Sequence, residues 1–274
     1  MNALPPFADT GTPIAAPVQL ELAILSRPGG RGYNEDACGH WHSGTHLCCV
    51  VADGAGGHGG GDVASKLAVQ HLIERYALAP AATAADVQRL LVEANGVILD
   101  HRRDAAAQQN MHTTVVALFV DLALGLARWG HCGDSRLYAF RAGALALRTR
   151  DHSLVQSLVD GGLLSEAGTR SHPQRSELLS ALGTQGDELQ LSVSDAPWRL
   201  EAGDVFLLCT DGLWEYIEDD ALQQSLAAAG EPQAWLAALE SMVLRNAAHK
   251  PDHDNFSALA VWILEATTLP AALR

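Results

Sequence analysis

Strands in runs and helices in pairs predict an α+β protein of antiparallel sheets flanked by helices. Three observations carry this. Thr113 to Val120, Leu124 to Trp129 and Arg136 to Arg141 read as strands parted only by short turns, as in an antiparallel meander. Helical periodicity comes in adjacent pairs, one before and one after that meander. Regular strand–helix alternation, the mark of a doubly wound parallel sheet, is missing.

In chain order, residues 1 to about 17 are rich in Pro, Ala and Thr and read as a loose leader to one domain spanning 18–266. Val18 to Leu25 alternates and reads as a strand. His46 to Ala52 (HLCCVVA) is continuously apolar, which predicts a strand covered on both faces. A glycine-rich turn follows, then a helix near Asp62 to Ala77 with Asp62 as its expected cap. A second helix runs from Ala84 to about Gln108, with Leu90, Ala94 and Val97 on one face. Beyond the meander, residues 151 to 180 turn polar, with glycines, a proline and small helical pieces, and read as an inserted surface segment. Strands resume at Glu188 to Val193 and Asp204 to Cys209. Helices follow near Asp219 to Ala229 and Gln233 to Ala248, and Phe256 to Leu264 is the last strand. No internal repeat and no Gly/Ser linker divides the chain.

Hydrophobic residues make up 48% of the 274, enough for a large core and too many for a disordered chain. The formal net charge of −14 repels phosphate backbones and anionic lipid, so nucleic acid and membrane surfaces are poor partners. Cys38, Cys48, Cys49, Cys132 and Cys209 are odd in number, lack a CxxC pair and sit mostly in apolar runs. They read as buried thiols in a reducing compartment. The longest apolar run, Thr114 to Ala127, contains Asp121 and is too short to span a bilayer as a helix. The first residues lack a basic start and an unbroken apolar stretch, so a cytoplasmic protein is expected.

The informative pattern is where aspartates fall. Asp53 ends VVAD, directly before GAGGHGGG; Asp211 ends DVFLLCT and precedes Gly212. Asp254 stands immediately before the last strand, Asp36 shortly after the first, and Asp134 between two strands. A carboxylate beside a core costs desolvation free energy unless it has a partner. The chain has only two lysines, Lys66 and Lys250, so divalent cations are the natural partners. Oxygen ligands without His or Cys at ligand spacing favour hard ions such as Mg²⁺ or Mn²⁺ over Zn²⁺. An aspartate at a strand end is, taken alone, more often a turn former or helix cap than a ligand; the combination points to metal. The glycine-rich stretch lacks the GK[ST] ending and GxGxxG register of nucleotide-binding loops.

Eight segments in order resemble the metal-dependent protein phosphatases, or protein phosphatase type 2C, in bacterial style. They are RGYNED (31–36), VADGAGGHGG (51–60), TTVVA (113–117), CGDSRLY (132–138), DHS (151–153), HPQRSELLSALG (172–183), GDVFLLCTDGLWE (203–215) and DNFS (254–257). The resemblance implies a four-layer αββα sandwich, two antiparallel sheets face to face with helices outside both. It implies a serine/threonine phosphatase in which a hydroxide bridges two Mn²⁺ or Mg²⁺ ions at Asp53. Asp36, Asp211, Asp254 and the carbonyl of Gly54 would complete the ligands, largely through water. Asp134 with Asp211 matches a weaker third metal site, and residues 151–180 match a mobile flap. Arg31 is placed to grip the substrate phosphate. The partners implied are phosphorylated proteins, substrates of a Ser/Thr kinase, with no nucleic acid and no membrane insertion.

The chain departs from the wider family at Ala55, where many eukaryotic relatives carry a histidine. His112 replaces a glycine common before the TT pair and reads either as a replacement proton donor or as a bulky neighbour without a role. His58 reads as a loop residue that the bacterial motif often has. Two other readings stand beside an active enzyme: a catalytically weak phosphoprotein-binding regulatory module of the same fold, and a protein whose ions serve only folding.

Overall fold

A computed structural model describes residues 18–56, 60–80, 83–104 and 110–266. The expected leader, residues 1–17, and His58 lie outside the described residues. Strands β1 (Gln19–Arg27), β2 (Ala37–His42), β3 (His46–Ala52) and the two-residue β4 (Gly54–Ala55) come first. Helices α1 (Gly61–Leu78) and α2 (Ala84–Asp104) precede β5 (His112–Thr113), β6 (Val115–Asp121), β7 (Leu126–Cys132), β8 (Arg136–Arg141) and β9 (Ala144–Arg148). Residues 151–180 carry two short helices, α3 (Leu154–Asp160) and α4 (Glu166–Thr169). Strands β10 (Ser192–Val193), β11 (Trp198–Arg199) and β12 (Val205–Cys209) lead to α5 (Asp211–Trp214), α6 (Asp219–Ala228), α7 (Pro232–Asn246) and β13 (Phe256–Glu265).

One sheet runs β1-β13-β12-β8-β9; the other runs β10-β7-β6-β3-β2, with β11 also on β7. Every pairing in both is antiparallel. The apolar runs of the central strands divide by parity between separate cores. In β3, Leu47, Cys49 and Val51 enter the layer between the sheets, while Cys48, Val50 and Ala52 face α1 and α2. In β6, Val116, Leu118 and Val120 point between the sheets and Val115, Ala117 and Phe119 point to the helices. Strand β12 behaves alike: Phe206 and Leu208 lie between the sheets, and Val205, Leu207 and Cys209 meet the other helical layer with Trp235, Leu236 and Leu239 of α7. Both faces of each strand are covered, which is why these segments are continuously apolar. The result is the expected four-layer αββα sandwich.

Several element ends differ from expectation for local reasons. The second meander strand begins at Leu126 rather than Leu124, because the Asp121 side chain accepts the Leu124 N–H and Gly125 takes φ +63° to close the turn. The strand expected at 188–193 shrinks to β10, since residues 186–188 form a 3₁₀ turn. Asp62 does not cap α1: Gly60 holds that position, and Asp62 pairs with Lys66 one turn on, at 2.8 Å. Four strands were not legible: β2, β9 and the two-residue β4 and β11. β2 (ACGHWH) has no apolar run, and its Gly39 lets α1 approach closely: a Cβ there would lie 2.9 Å from Ile73 Cδ1. β9 joins β8 through a two-residue turn, Ala142–Gly143, in which both residues have positive φ, 51° and 77°.

Candidate metal centre

Strand β3 delivers Asp53 to the end of its sheet, and the threonine pair holds it there. The Thr114 N–H and the Thr113 hydroxyl both donate to the Asp53 carbonyl oxygen at 2.8 Å. The Asp53 N–H in turn donates to Thr114 Oγ1 at 3.1 Å. Glycine is needed at 54 because a Cβ would lie 2.2 Å from the Gly61 carbonyl oxygen and 2.6 Å from that of Glu35. Close approach of three backbone segments, rather than freedom of the turn, fixes that residue type.

The remaining carboxylates arrive from four other places in the chain. Asp36 follows a loop that Asn255 ties down: its amide donates to the carbonyls of Pro28 (2.8 Å) and Tyr33 (2.9 Å), and its Oδ1 accepts the Glu35 N–H (2.8 Å). The buried Asp36 accepts the Thr210 hydroxyl at 3.0 Å. Asp211 opens α5, where a Cβ on Gly212 would meet the Asn255 carbonyl oxygen at 2.0 Å. Asp254, at the entrance to β13, accepts Arg31 Nη2 at 2.9 Å. Asp134 sits in the turn after β7, its carbonyl accepting Trp214 Nε1–H at 2.9 Å.

Asp53, Gly54, Asp134, Asp211, Asp254 and Arg31 line one cavity of about 350 Å³, and Asp36 is buried behind it. Burial pushes the Asp53 carboxyl well above its ordinary range, and the charges of Asp36, Asp211, Asp134 and Asp254 add to that. Asp211 is likewise raised, by burial first and then by Asp134, Glu215, Asp254 and Asp36. Burial raises Asp36 to about 7, against hydrogen bonds from Ser257 and Thr210 that favour its ionised form. Asp134 is also raised to about 7, by burial and by Asp151, with Arg136 opposing. The five aspartates thus repel one another, and among the described residues that line the cavity Arg31 is the one cation facing them.

A hard cation fits this donor set. The Oδ1 atoms of Asp36 and Asp211 and Oε1 of Glu35 are buried without a hydrogen-bond partner, an arrangement that costs several kcal/mol per ion unless a counter-charge is supplied. Among the described residues, however, no three His, Cys, Asp or Glu side chains close on a single point as an all-protein cage. Oxygen donors of this kind suit a hard ion such as Mg²⁺ or Mn²⁺.

Polar lining residues to which the sequence reading gave no role include Glu35, Thr114, Ser176 and Asn255. Glu35 sits beside Asp36, where the NED triplet was the available signal; burial and the Asp62 charge raise its pKa. Thr114 and Ser176 line the cavity too, and a hydroxyl has no charge-based signature in a sequence. His112 lies opposite Ala55 in the β4–β5 ladder and lines an adjoining groove of about 530 Å³ with Leu178, Ser180 and Gln190. It is absent from the carboxylate cavity. The groove and the cavity share Ala55, Gly56 and Leu178 as walls.

The family profile of protein phosphatase 2C matches residues 31–254, which runs from the cavity's arginine to its last aspartate. The chain belongs to the protein phosphatase 2C family. Over 204 residues it is 35% identical to the serine/threonine protein phosphatase PstP of Mycobacterium tuberculosis, a match covering 72% of this chain but 36% of that protein. The serine/threonine phosphatase stp of Listeria monocytogenes is 32% identical over 202 residues, 72% of this chain and 78% of the relative. The catalytic domain of a PstP, solved in complex with two manganese ions, superposes with a TM-score of 0.75. That likeness covers 91% of this chain and all of the other at 27% identity. Among the described residues no helix is long and apolar enough to cross a membrane.

Proposed function

We propose that this protein phosphatase 2C member removes phosphate from phosphoserine and phosphothreonine of proteins, using two divalent cations, Mn²⁺ or Mg²⁺, held around Asp53. One observation carries the reading: Asp53, Asp134, Asp211 and Asp254 meet at one cavity, with buried carboxylate oxygens that no protein group satisfies. Asp36, Asp53, Asp211, Asp254 and the Gly54 carbonyl would hold the pair, in part through water, and Asp134 with Asp211 a third ion. Divalent cations bound there supply an activated water near neutral pH and neutralise charge on the phosphoryl oxygens.

The chain's own groups do the positioning. Asp53 is clamped at its backbone by Thr113 and Thr114, so its carboxylate has little freedom to follow a wandering ligand. The half-exposed Arg31 guanidinium already bonds one carboxylate at 2.9 Å and presents a planar fork that matches two phosphate oxygens. Ser176 and Leu178 bring the 151–180 segment, read as the flap of an 18–266 catalytic domain, to the cavity rim. Phosphoproteins made by a Ser/Thr kinase are the partners this implies, and the buried free thiols suit a cytoplasmic setting.

The test is turnover of p-nitrophenyl phosphate and of a phosphothreonine peptide by the full chain. Activity is expected with Mn²⁺, abolished by EDTA, and lowered about a hundredfold or more in Asp53→Ala. Undiminished hydrolysis by Asp53→Ala in EDTA would refute the mechanism. Tight peptide binding without turnover under any metal would point to a regulatory module instead.

A further inference from the structure

Two stacked imidazoles lie just outside the carboxylate cavity, and nothing in the reading above uses them. His131, at the end of β7, and His152, at the start of the 151–180 segment, stack with ring centroids 4.7 Å apart and planes within 12°. His131 Nε2 lies 2.8 Å from the Arg150 carbonyl, which can only accept, so the proton of that ring is on Nε2. His152 Nδ1 lies 3.2 Å from the Gly133 N–H and must accept it, leaving Nε2–H to donate to Ser192 Oγ at 2.8 Å. His152, whose Nδ1 accepts, is thereby fixed as a neutral tautomer; His131 Nδ1 is buried without a hydrogen-bond partner, so a second proton there would be unpaired and this ring too is neutral. Burial favours this state, lowering His131 and holding His152 down near 4, with the His131 ring adding to the second shift.

His152 grips Gly133 twice, since its backbone N–H also donates to the Gly133 carbonyl at 2.9 Å. Gly133 has φ +93°, and a Cβ there would lie 2.7 Å from Thr114 Cγ2, so the turn has no alternative residue type. The next residue is Asp134. On the other side, the His152 carbonyl accepts the Leu179 N–H at 2.8 Å, and Leu154 N–H donates to Glu177 at 2.9 Å. One residue therefore joins the carboxylate-bearing turn, both ends of the 151–180 segment and, through Ser192, the edge strand β10.

We propose that His152 is a positioning residue: its neutral imidazole holds the Gly133–Asp134 turn against the base of the 151–180 segment, and so sets the ion affinity of Asp134. The proposal rests on the reading of Asp134 as a metal ligand, and it concerns that site rather than the pair around Asp53. Groups that orient ligands from behind typically contribute about ten- to a hundredfold to metal affinity.

The test compares His152→Asn, whose Oδ1 can take the place of Nδ1, with His152→Phe, which keeps a flat ring and loses the acceptor. Calorimetric titration with Mn²⁺ of the full chain, with Asp134→Ala as reference, identifies the part of the isotherm that depends on Asp134. His152→Phe is expected to weaken that part about tenfold or more and to leave the rest within about twofold. His152→Asn should stay within about threefold of the parent throughout. Hydrogen exchange of the metal-free chain gives an independent reading: faster exchange around residue 133 in His152→Phe, with parental rates in His152→Asn. Equal Mn²⁺ affinity and equal exchange in His152→Phe would overturn the proposal, as would a His152→Asn chain as impaired as His152→Phe. Should His152→Phe fail to fold, Ser192→Ala takes its place, since freeing Nε2 must also speed exchange at 133 or the proposal fails. An isotherm unchanged in Asp134→Ala would instead remove the metal reading of Asp134, and the exchange comparison would still decide what His152 does.

Discussion

Beneath Asp134 lies a buried cation whose removal should be costly. Arg136 forms a two-pronged bond to Asp151 at 2.9 and 2.7 Å, donates to the Tyr138 hydroxyl at 3.2 Å, and lies 3.5 Å over the Trp214 ring. Both side chains are at most 4% exposed. Replacing Arg136 by Met strands an unpaired carboxylate in the core, a loss of about 3–5 kcal/mol. Denaturant titration of the single and double variants checks this: Arg136→Met with Asp151→Asn should cost less than the sum of the two. Additive costs would mean that the pair contributes no coupling. Lysine is no substitute, because a point charge cannot make both bonds and stack on the indole. The aspartates of the cavity were legible individually as strand-end acids. Glu35 and the buried Arg136–Asp151 pair were not, because only the folded chain shows which charges lose their water.

At the scale of elements, the long helices and the apolar strands were legible because periodicity reports burial, and burial on both faces gives unbroken apolar runs. β2 and β9 were hidden for the opposite reason. They lie at sheet edges, half covered, with a glycine where α1 approaches in one case and a turn of unusual residues in the other. That β8–β9 turn offers a test. Ala142 sits at φ 51°, a conformation that costs an ordinary L-residue about 1 kcal/mol or more. Asparagine tolerates it better, so Ala142→Asn should raise the stability by up to about 1 kcal/mol, read as a higher midpoint in urea with an unchanged slope. A lower midpoint would show that the alanine methyl is favoured for another reason.

For the whole molecule, the acidic cluster sets how stability follows pH. Asp36 and Asp134 are raised to about 7 in the fold, above the value near 4 of an unfolded aspartate. The folded state therefore holds more protons than the unfolded one between those values, and stability falls as pH rises through that window. In EDTA the melting temperature should fall between pH 5 and pH 8. With Mn²⁺ in excess the trend should flatten or reverse, because protons compete with the ions for the same oxygens. A melting temperature in EDTA that climbs across that range would contradict the raised carboxyls. The layer order itself was legible only through the family likeness, since apolar runs reveal that a strand is covered and not by what. That last fact has a further consequence for β3. With neither face meeting water, sliding the strand by one residue would exchange two sets of apolar side chains at little hydrophobic loss, so alternation cannot choose the alignment. The choice falls to the polar tip, where two threonine hydroxyls recognise one aspartate backbone. A chain that has found its alignment has, by the same act, delivered its first acid to the cavity.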